Sequence, residues 1–319
     1  MGESVEISVV LPVFNEKGHL VAEVDRIARG LKEAKREFEI IVVDDGSTDG
    51  SGALAQTLAN VRVLRFAQNR GSGSARKYGT LAAKGEVVVW TDADMTYPND
   101  EISELVEQLE GFDQVVGART SEKGTIKILR LPAKWIIRKL ASYLTGVKIP
   151  DLNSGFRAMR RDVALQFLYL LPVGFSCVTT MTLSFLTNGY SIKYIPITYG
   201  AREGKSKFHW WRDTRRYVVQ VVRMILLYDP LRVLGPPTVL LSLTAVGKLL
   251  FDILDKDFRV GTNTLVLIGS AVAMGVVGMI SDLLVQSNKR RLDVIPATLS
   301  AGLCIEGVDS DGEDLADNS

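Results

Sequence analysis

The stretch Gly85-Glu86-Val87-Val88-Val89-Trp90-Thr91-Asp92-Ala93-Asp94 decides how the rest of this chain is interpreted. Its apolar, β-branched part is typical of a buried strand. Two carboxylates, Asp92 and Asp94, follow where that strand ends. Oxygen ligands of this kind suit Mg²⁺ or Mn²⁺, which proteins bind through one or two carboxylates together with substrate phosphates. Because most isolated Asp-x-Asp pairs are solvated turns, the interpretation depends on structural context.

A second acidic pair supplies that context. Asp44 and Asp45 follow the apolar run Phe38-Glu39-Ile40-Ile41-Val42-Val43. Two buried strands that both end in carboxylates indicate one ligand crevice at the carboxyl edge of an open α/β sheet.

Strand and helix patterns alternate along the first part of the chain. Strands are predicted over 7–13, 38–43, 61–66, 86–91 and 114–117, with helices over about 18–34, 51–58, 98–108 and from about 73. This alternation predicts an α/β domain with a mostly parallel, doubly wound sheet. The glycines do not form a dinucleotide fingerprint after a strand, and Gly71-Ser72-Gly73 is interpreted as a flexible turn into a helix.

The charge and cysteine content exclude few classes of function. The 319 residues contain 38 Lys and Arg against 37 Asp and Glu, so the net charge of +1 indicates no class of partner, and no nucleic-acid partner is expected. Cys177 and Cys304 have neither metal nor redox spacing and are interpreted as unpaired thiols. The stretch 306–317 carries six acids and no base, so 289–319 is predicted to be a disordered acidic tail.

Two apolar stretches near the C-terminus are each long enough to cross a bilayer as a helix. Val233 to Phe251 and Thr262 to Val285 each contain a single charged residue. Spanning ~30 Å of hydrocarbon takes ~20 helical residues, and both stretches are apolar on all faces. The short connection 255–261 leaves no room for a domain, so a two-helix transmembrane hairpin is predicted over 230–288.

Two features of the apolar stretches suggest contacts that would stabilise the hairpin. Lys248 and Asp252 lie one helical turn apart and are predicted to pair as snorkelling residues near the far interface. Gly269, Ala273 and Gly278 give the second helix a small-residue face. That face suits packing within the hairpin or against another copy, so oligomerisation is possible.

Basic residues flank the hairpin on one side. Arg223 and Arg232 flank the first apolar stretch and Lys289-Arg290-Arg291 follow the second, which predicts that both ends of the hairpin face the cytoplasm. The domain 1–208 and both termini are then cytoplasmic in a two-span membrane protein. The segments 126–146 and 209–229 interleave bases with Trp and aliphatic residues and are predicted to be interfacial amphipathic helices.

Several further motifs, taken in order, resemble one family. The first four are Leu11-Pro12-Val13-Phe14-Asn15-Glu16, Val42-Val43-Asp44-Asp45-Gly46-Ser47-Thr48-Asp49-Gly50, Asn69-Arg70-Gly71 and Asp92-Ala93-Asp94. These are similar to family-two glycosyltransferases of the A-type fold. Gly117-Ala118-Arg119, Asp151-Leu152-Asn153-Ser154-Gly155-Phe156-Arg157 and Arg202-Glu203-Gly204-Lys205-Ser206-Lys207 resemble its polyprenyl-phosphate (dolichol-phosphate) branch, over residues 7–208.

The resemblance implies a role for each matching residue. Asp92 and Asp94 would hold Mg²⁺ or Mn²⁺ and the donor diphosphate, with Ala93 between them. Arg119 would contact a phosphate, and Arg202 and Lys207 would close over the diphosphate. The residues implied to surround the nucleoside are Pro12, Phe14, Glu16, Val43 and Asp45. Two departures stand out: Phe14 replaces a frequent Tyr, and Gly174 to Thr180 lacks a glutamate that many relatives have.

The chemistry of the expected reaction agrees with these residues. Charge builds on the diphosphate leaving group of a GDP- or UDP-linked hexose, so cations beside it would give the catalysis. A polyprenyl or dolichyl phosphate acceptor is largely ionised at neutral pH, because its second pKa is ~6, and needs no strong base. Arg119, Arg130 and Lys134 are candidates for binding that phosphate. Asp151 is the candidate base if one is used, and a single displacement predicts inversion.

Two other functions fit parts of the sequence. A transferase with another lipid or a polysaccharide acceptor would need a base for a hydroxyl nucleophile. A processive synthase would be expected to show a Gln-x-x-Arg-Trp signature and more membrane spans, both missing from this sequence. A non-catalytic scaffold that binds a nucleotide sugar is the alternative of another class.

Overall fold

The computed structural model of the protein describes residues 5–120, 139, 141–143, 145–174, 176–200, 219, 222–223, 226, 229–255 and 260–292. The chain divides into two compact units, with the boundary between Tyr217 and Val218.

The first unit is an α/β domain. Its strands are β1 Ile7–Val13, β2 Phe38–Asp44, β3 Val61–Arg65, β4 Val87–Trp90, β5 Gln114–Arg119, β6 Arg157–Arg160 and β7 Ile192–Ile197. Its helices are α1 Leu20–Glu33, α2 Ser51–Gln56, α3 Ser72–Ala82, α4 Ile102–Glu107, α5 Arg161–Leu165 and α6 Cys177–Thr187, with 3₁₀ turns at Asn99–Glu101 and Leu168–Leu170. The five predicted strands are confirmed as β1 to β5, and the predicted α/β class is confirmed.

The strands form one mixed sheet in the order β3-β2-β1-β4-β6-β5-β7. β6 is antiparallel to both β4 and β5, whereas the other neighbours are parallel. β1 to β5 and β7 therefore all run in one direction, and their carboxyl ends lie at the same edge. β6 begins at that edge.

Both faces of the sheet are buried, as expected for parallel strands covered by helices. Because side chains alternate along a strand, Val9 and Leu11 of β1 pack in one core with Ile27 of α1. Val10, between them, packs in a second core with Phe185 of α6. The two cores hold the sheet rigid between helical layers.

α1 is an amphipathic helix whose buried side chains recur at helical spacing: Leu20, Val24, Ile27 and Leu31. Gly30, in its penultimate turn, lies against the backbone of Asp100. A Cβ at position 30 would stand 2.3 Å from the Asp100 carbonyl oxygen. The absence of a side chain thus lets α1 approach the 3₁₀ turn that follows β4.

The second unit contains two long helices, α7 Pro230–Asp255 and α8 Thr262–Leu292. Their segments Pro230–Leu254 and Thr262–Val285 have the length and apolar composition of membrane spans, and most of their surface is exposed. Gly278 of α8 is buried against Leu231 and Leu234 of α7. The two helices are therefore antiparallel, as a hairpin requires.

The predicted small-residue face is divided between two environments. Gly278 packs inside the hairpin, whereas Gly269 and Ala273 are exposed. At the turn, Lys248 pairs with Asp252 at 2.9 Å, as predicted. Asp252 is fully buried and also accepts hydrogen bonds from the Gly261 backbone N–H, at 3.0 Å, and from the Thr264 hydroxyl. The carboxylate therefore caps α8 rather than reaching for solvent.

Some predicted segments lie outside the described residues. They include most of the interfacial segments 126–146 and 209–229, and the tail from 293 onward. These segments, with the domain limits at 208 and 288, stay predictions.

Gly30→Ala tests the close approach of α1 to the turn after β4. Alanine favours a helix over glycine by ~1 kcal/mol, but the added Cβ cannot fit 2.3 Å from a backbone oxygen. We expect urea unfolding of the full chain in detergent to show a net loss of about 1–2 kcal/mol. Gly18→Ala is the control, because nothing lies within 4 Å of its Cβ position. A Gly30→Ala protein as stable as the wild type would contradict the packing.

Candidate active site

The carboxyl edge of the sheet collects the predicted site. Phe14, Asp45, Asp92 and Arg119 lie at or just beyond the ends of β1, β2, β4 and β5. These four strands run in the same direction, so side chains distant in sequence meet at one edge.

The loop after β1 is bonded to the loop after β2. Asn15, at φ 57°, is in the left-handed region that asparagine tolerates. Four hydrogen bonds join the loops: Thr48 N to Asn15 Oδ1 (2.8 Å), Asn15 N to Ser47 Oγ (3.0 Å), Glu16 N to Ser51 Oγ (3.0 Å) and Lys17 N to Asp49 Oδ2 (3.1 Å). The predicted nucleoside pocket therefore has a rigid wall before any ligand binds.

The residues expected around the nucleoside are not all equally accessible. Pro12, Phe14 and Glu16 are half-buried at this wall. Val43 is fully buried, with its side chain close to Gly79 of α3, and so supports the pocket from behind.

Asp45 is buried and braces the next loop. Its two oxygens accept the backbone N–H groups of Arg70 and Gly71, at 2.6 and 2.9 Å. Burial raises the pKa of Asp45, although these hydrogen bonds oppose the shift. Asp45, expected beside the nucleoside, thus already holds the loop that leads into α3.

Asp92 and Asp94 lie in a tight turn after β4. Asp92 Oδ1 accepts a 2.5 Å hydrogen bond from Nη2 of Arg76, and Asp94 Oδ1 accepts one of 2.5 Å from the Thr96 hydroxyl. Met95, between Asp94 and Thr96, has a φ of 59°. Ala93 is buried beneath the turn. The two hydrogen bonds hold the carboxylates in place. Both side chains are partly exposed, so they remain accessible to a ligand.

A buried polar network supports this turn from below. Asn99 donates to Glu23 Oε2 at 2.7 Å and to the backbone carbonyl of Asp92 at 3.2 Å, and it accepts from Thr91 Oγ1 at 2.5 Å. Glu23 is fully buried on α1, and burial raises its pKa against the opposing effects of Asn99 and Arg26. The carboxylate turn is thereby fixed to α1.

The chemistry of Asp92 and Asp94 fits a hard divalent cation, since both offer only oxygen. Among the described residues no group of three or more His, Cys, Asp or Glu side chains could hold a metal ion by itself. Two carboxylates would then need phosphate oxygens and water to complete the shell, which is how Mg²⁺ is commonly held with nucleotides. The pair suits a metal that arrives with a diphosphate.

Arg119 and Asp151 form a bidentate ion pair. Nε and Nη2 of Arg119 donate to Oδ2 and Oδ1 of Asp151 at 2.7 and 3.0 Å, and both side chains are mostly buried. Asp151 also accepts the backbone N–H groups of Arg119 and Asn153, at 3.3 and 2.9 Å. Although burial raises the pKa of Asp151, Arg119 holds it below its ordinary value. A carboxylate held in this way is a weak proton acceptor.

Aromatic rings connect this ion pair to the carboxylate turn. The Arg119 guanidinium lies 5.3 Å from the centroid of the Tyr199 ring, which meets Tyr97 edge-on at 5.1 Å. Tyr97 Oη accepts the Gly155 N–H at 2.8 Å. The Gly200 N–H, just beyond Tyr199, donates to the Thr96 carbonyl at 2.8 Å.

The segment without the expected glutamate begins α6. Thr179 is fully buried and donates to Asn153 Oδ1 at 2.9 Å. Thr180 is also fully buried and donates to the Ser176 carbonyl at 3.1 Å. The Thr179 hydroxyl therefore ties α6 to the loop that follows Asp151, whereas the Thr180 hydroxyl bonds within the first turn of α6.

Four predicted site residues lie outside the described residues: Arg130, Lys134, Arg202 and Lys207. Conversely, the structure brings several residues to the site that sequence patterns did not indicate, namely Glu23, Arg76, Thr96, Tyr97, Asn99 and Tyr199. Thr96 contacts Asp94 two residues away, whereas the others reach the site through long-range contacts that no local pattern indicates.

Glu23→Gln tests the buried network. Because the pKa of Glu23 is raised, the folded protein binds more protons than the unfolded chain, and stability falls as pH rises above ~4.3, the ordinary value. Glutamine keeps an acceptor for Asn99 and does not titrate. We expect the Tm of Glu23→Gln, relative to wild type, to increase as pH rises from 4.5 to 8. Glu33→Gln, on an exposed position of α1, is the control. Parallel Tm curves for all three proteins would refute the expectation.

Comparison with known proteins identifies the family. Residues 8–167 match the model for glycosyl transferase family 2. A polyprenol monophosphomannose synthase from Mycolicibacterium smegmatis is 34% identical over 215 residues, covering 62% of this chain and 79% of that protein. A dolichol-phosphate mannosyltransferase from Pyrococcus furiosus is 32% identical over 229 residues, covering 66% of this chain and 63% of that protein.

Other relatives carry different sugars in their names. An undecaprenyl-phosphate 4-deoxy-4-formamido-L-arabinose transferase from Aeromonas hydrophila is 31% identical over 212 residues, covering 63% of this chain. The chain spans 62% of that protein's length.

Solved structures share the fold. Glucosyl-3-phosphoglycerate synthase from Mycobacterium tuberculosis, in complex with Mn²⁺, uridine-diphosphate-glucose and phosphoglyceric acid, aligns with a TM-score of 0.58 at 22% identity. The alignment covers 69% of this chain and 80% of that one. This likeness shows the fold, while the family match and the mycobacterial relative show that the chain belongs to glycosyl transferase family 2.

Proposed function

We propose that this protein transfers a hexose from a nucleoside-diphosphate sugar to a membrane polyprenyl or dolichyl phosphate. The observation that carries the proposal is the meeting of two kinds of group at one sheet edge. The pair Asp92 and Asp94 can take a metal-bound diphosphate, and Arg119, oriented by Asp151, can take a second phosphate. A reaction between a nucleotide sugar and a lipid phosphate needs both.

The named relatives support the acceptor class and leave the sugar open. Their names give polyprenol, dolichol and undecaprenyl phosphates, but the sugars are mannose in two cases and formamido-arabinose in the third. GDP-mannose and a UDP-linked hexose therefore both remain candidate donors.

Charge is the main requirement of the proposed reaction. A bound Mg²⁺ or Mn²⁺ would neutralise negative charge on the diphosphate leaving group. Asp92 and Asp94 would hold it, and Arg202 and Lys207 are proposed to add positive charge from the segment after Gly200. Fixed charges of this kind act most strongly where water is excluded.

The acceptor supplies its own nucleophile. A phosphate monoester is largely dianionic near neutral pH, because its second pKa is ~6. Arg119, with Arg130 and Lys134 as proposed partners, would orient one phosphate oxygen toward the anomeric carbon. Attack from the face opposite the diphosphate inverts the configuration, from an α-linked donor to a β-linked lipid product.

The second unit suits a lipid acceptor. Two candidate membrane helices would anchor the chain beside its substrate and reduce the entropy lost when enzyme and lipid meet. With basic residues flanking the hairpin, we propose that the domain 1–208 and both termini face the cytoplasm.

The direct test is transfer of labelled sugar from a panel of UDP- and GDP-sugars into organic-extractable polyprenyl phosphate, with Mg²⁺ or Mn²⁺. We expect one donor to give a product that disappears with chelator and falls at least ~100-fold with Asp94→Ala, the order lost when transition-state charge stabilisation is removed. Asp25→Ala, an exposed carboxylate on α1, is the control.

Negative results distinguish the alternatives. If sugar is transferred to diacylglycerol or a polysaccharide and not to a lipid phosphate, the proposed acceptor is wrong and the alternative transferase is correct. Nucleotide-sugar binding with no transfer or hydrolysis for any acceptor would favour a scaffold.

Asp151→Asn tests whether Asp151 acts as the general base or only orients Arg119. Because Asp151 accepts four hydrogen bonds, two of them from the Arg119 side chain, we expect its amide variant to raise KM for the lipid phosphate about tenfold. The turnover rate should keep the shape of its pH dependence. A fall in turnover by a factor of about 100 or more, with the acidic limb of the pH profile abolished, would instead make Asp151 the base.

A further inference from the structure

Arg76 is a buried guanidinium directly behind Asp92. It lies in the first part of α3, with 2% of its side chain exposed, and donates from Nη2 to Asp92 Oδ1 at 2.5 Å. Its other contacts are weak: Nη1 stands 3.9 Å from Cys177 Sγ, and the guanidinium lies 5.8 Å from the centroid of the Trp90 ring. Nε has no hydrogen-bond partner among the described residues.

A second buried guanidinium shows what a structural arginine in this core looks like. Arg157 lies 6.0 Å from the same Trp90 ring and is fully buried. Its nitrogens donate to the Ser154 and Val178 carbonyls and to the Thr182 hydroxyl. Arg157 is thus bonded to neutral groups that join β6 to α6, whereas the one strong hydrogen bond of Arg76 goes to a predicted metal ligand.

Leaving a donor of a buried charge unsatisfied costs stability, since burial removes water and a missing hydrogen bond is not replaced. Arg76 bears this cost while its charge faces Asp92. An arginine that only filled the core would be expected to satisfy its donors, as Arg157 does. The position of Arg76 is therefore explained by what it does to Asp92.

Gly155 lies beside the contact between Asp92 and Arg76. A Cβ at Gly155 would lie 3.0 Å from Asp92 Oδ2 and 3.2 Å from Arg76 Nη2. The absence of a side chain at Gly155 thus leaves room for the carboxylate and the guanidinium to meet. Oδ1 is held by the guanidinium, and the close backbone at Gly155 limits where Oδ2 can point.

We propose that Arg76 is a positioning residue that fixes the Asp92 carboxylate for a metal-bound nucleoside diphosphate. This inference rests on the function proposed above. Arg76 acts on Asp92 in two ways. The direction of its hydrogen bond selects one carboxylate orientation, and its charge offsets the repulsion between two aspartates and a diphosphate. Groups that orient a metal ligand in this way change metal affinity by ~10–100-fold when removed.

The test measures binding rather than turnover. The affinities of the full-length wild type for GDP and for UDP are measured by calorimetry with and without saturating Mn²⁺, and bound Mn²⁺ is counted by electron paramagnetic resonance. The ratio of the two dissociation constants is the gain due to metal. Arg76→Lys keeps the charge but shortens the reach, and Arg76→Met removes both.

We expect Arg76→Lys and Arg76→Met to reduce the gain due to metal at least about tenfold. Metal-free nucleotide affinity should stay unchanged in Arg76→Lys, which keeps the charge, and should fall in Arg76→Met by a smaller factor than the metal-bound affinity, because the charge is lost. Arg157→Met, the matched control, should keep the wild-type gain. In an Asp92→Asn background, Arg76→Lys should cause no further loss, because its target is already changed.

Each other outcome overturns the inference. A wild-type gain in both Arg76 variants would show that Asp92 needs no support. An equal loss of metal-free and metal-bound affinity, or an equal loss in Arg157→Met, would make Arg76 a structural residue. If the wild type itself shows no gain with either nucleotide, the proposed donor site falls as well. If Arg157→Met does not fold, Arg157→Lys, which keeps the charge of that arginine, replaces it as the matched control.

Discussion

Crowding of negative charge at one edge of a parallel sheet is the constraint that organises this protein. Bringing carboxylates close together and out of water costs free energy unless each gains a specific partner. Here each has one: Asp45 has two backbone N–H groups, Asp92 has Arg76, Asp151 has Arg119, and Glu23 has Asn99. The partners come from elements that are far apart in sequence. The need to supply them fixes where α1, α3 and the loop before β6 must lie.

Different parts of the site are stabilised by different kinds of interaction. The predicted nucleoside side is held mainly by hydrogen bonds between two loops. The proposed diphosphate side is held by an ion pair and a buried network, and the proposed acceptor side by an ion pair stacked on an aromatic ring. Charged supports lie where charge would move during transfer, so the protein dipoles and cations need little rearrangement.

Local patterns in the sequence predicted much of the fold and rather less of the site. Period-two and apolar runs gave β1 to β5, and the order of elements gave the parallel sheet. The reversed strand β6 was not predicted, because its four residues, Arg157–Arg160, carry two arginines and no apolar run. Gly71-Ser72-Gly73 was interpreted as a flexible turn, but Gly73 donates to the Val173 carbonyl at 2.9 Å, and a Cβ at Gly71 would meet that oxygen at 2.3 Å. Those glycines permit close packing.

Local patterns also failed to indicate how the site residues pair with one another. Asp92 and Asp94 were singled out because they follow a strand, and Arg119 because its motif resembles that of a family. The partner of Asp92 is 16 positions away and that of Arg119 is 32 away. Arg119 and Asp151 were assigned separate roles, and no local pattern indicates that they form one bidentate pair. Such pairings depend on topology, which brings the ends of β4, β5 and the loop before β6 together.

α1 connects the two halves of the proposed donor site. It begins directly after the loop that carries Glu16, and the His19 and Leu20 N–H groups bond the Glu16 carbonyl. Further along, Glu23 is bonded to Asn99, and Gly30 touches Asp100. One rigid helix therefore fixes the distance between the wall of the predicted nucleoside pocket and the carboxylate turn. If the donor binds as proposed, the span from its base to its diphosphate is set by the scaffold before the ligand arrives.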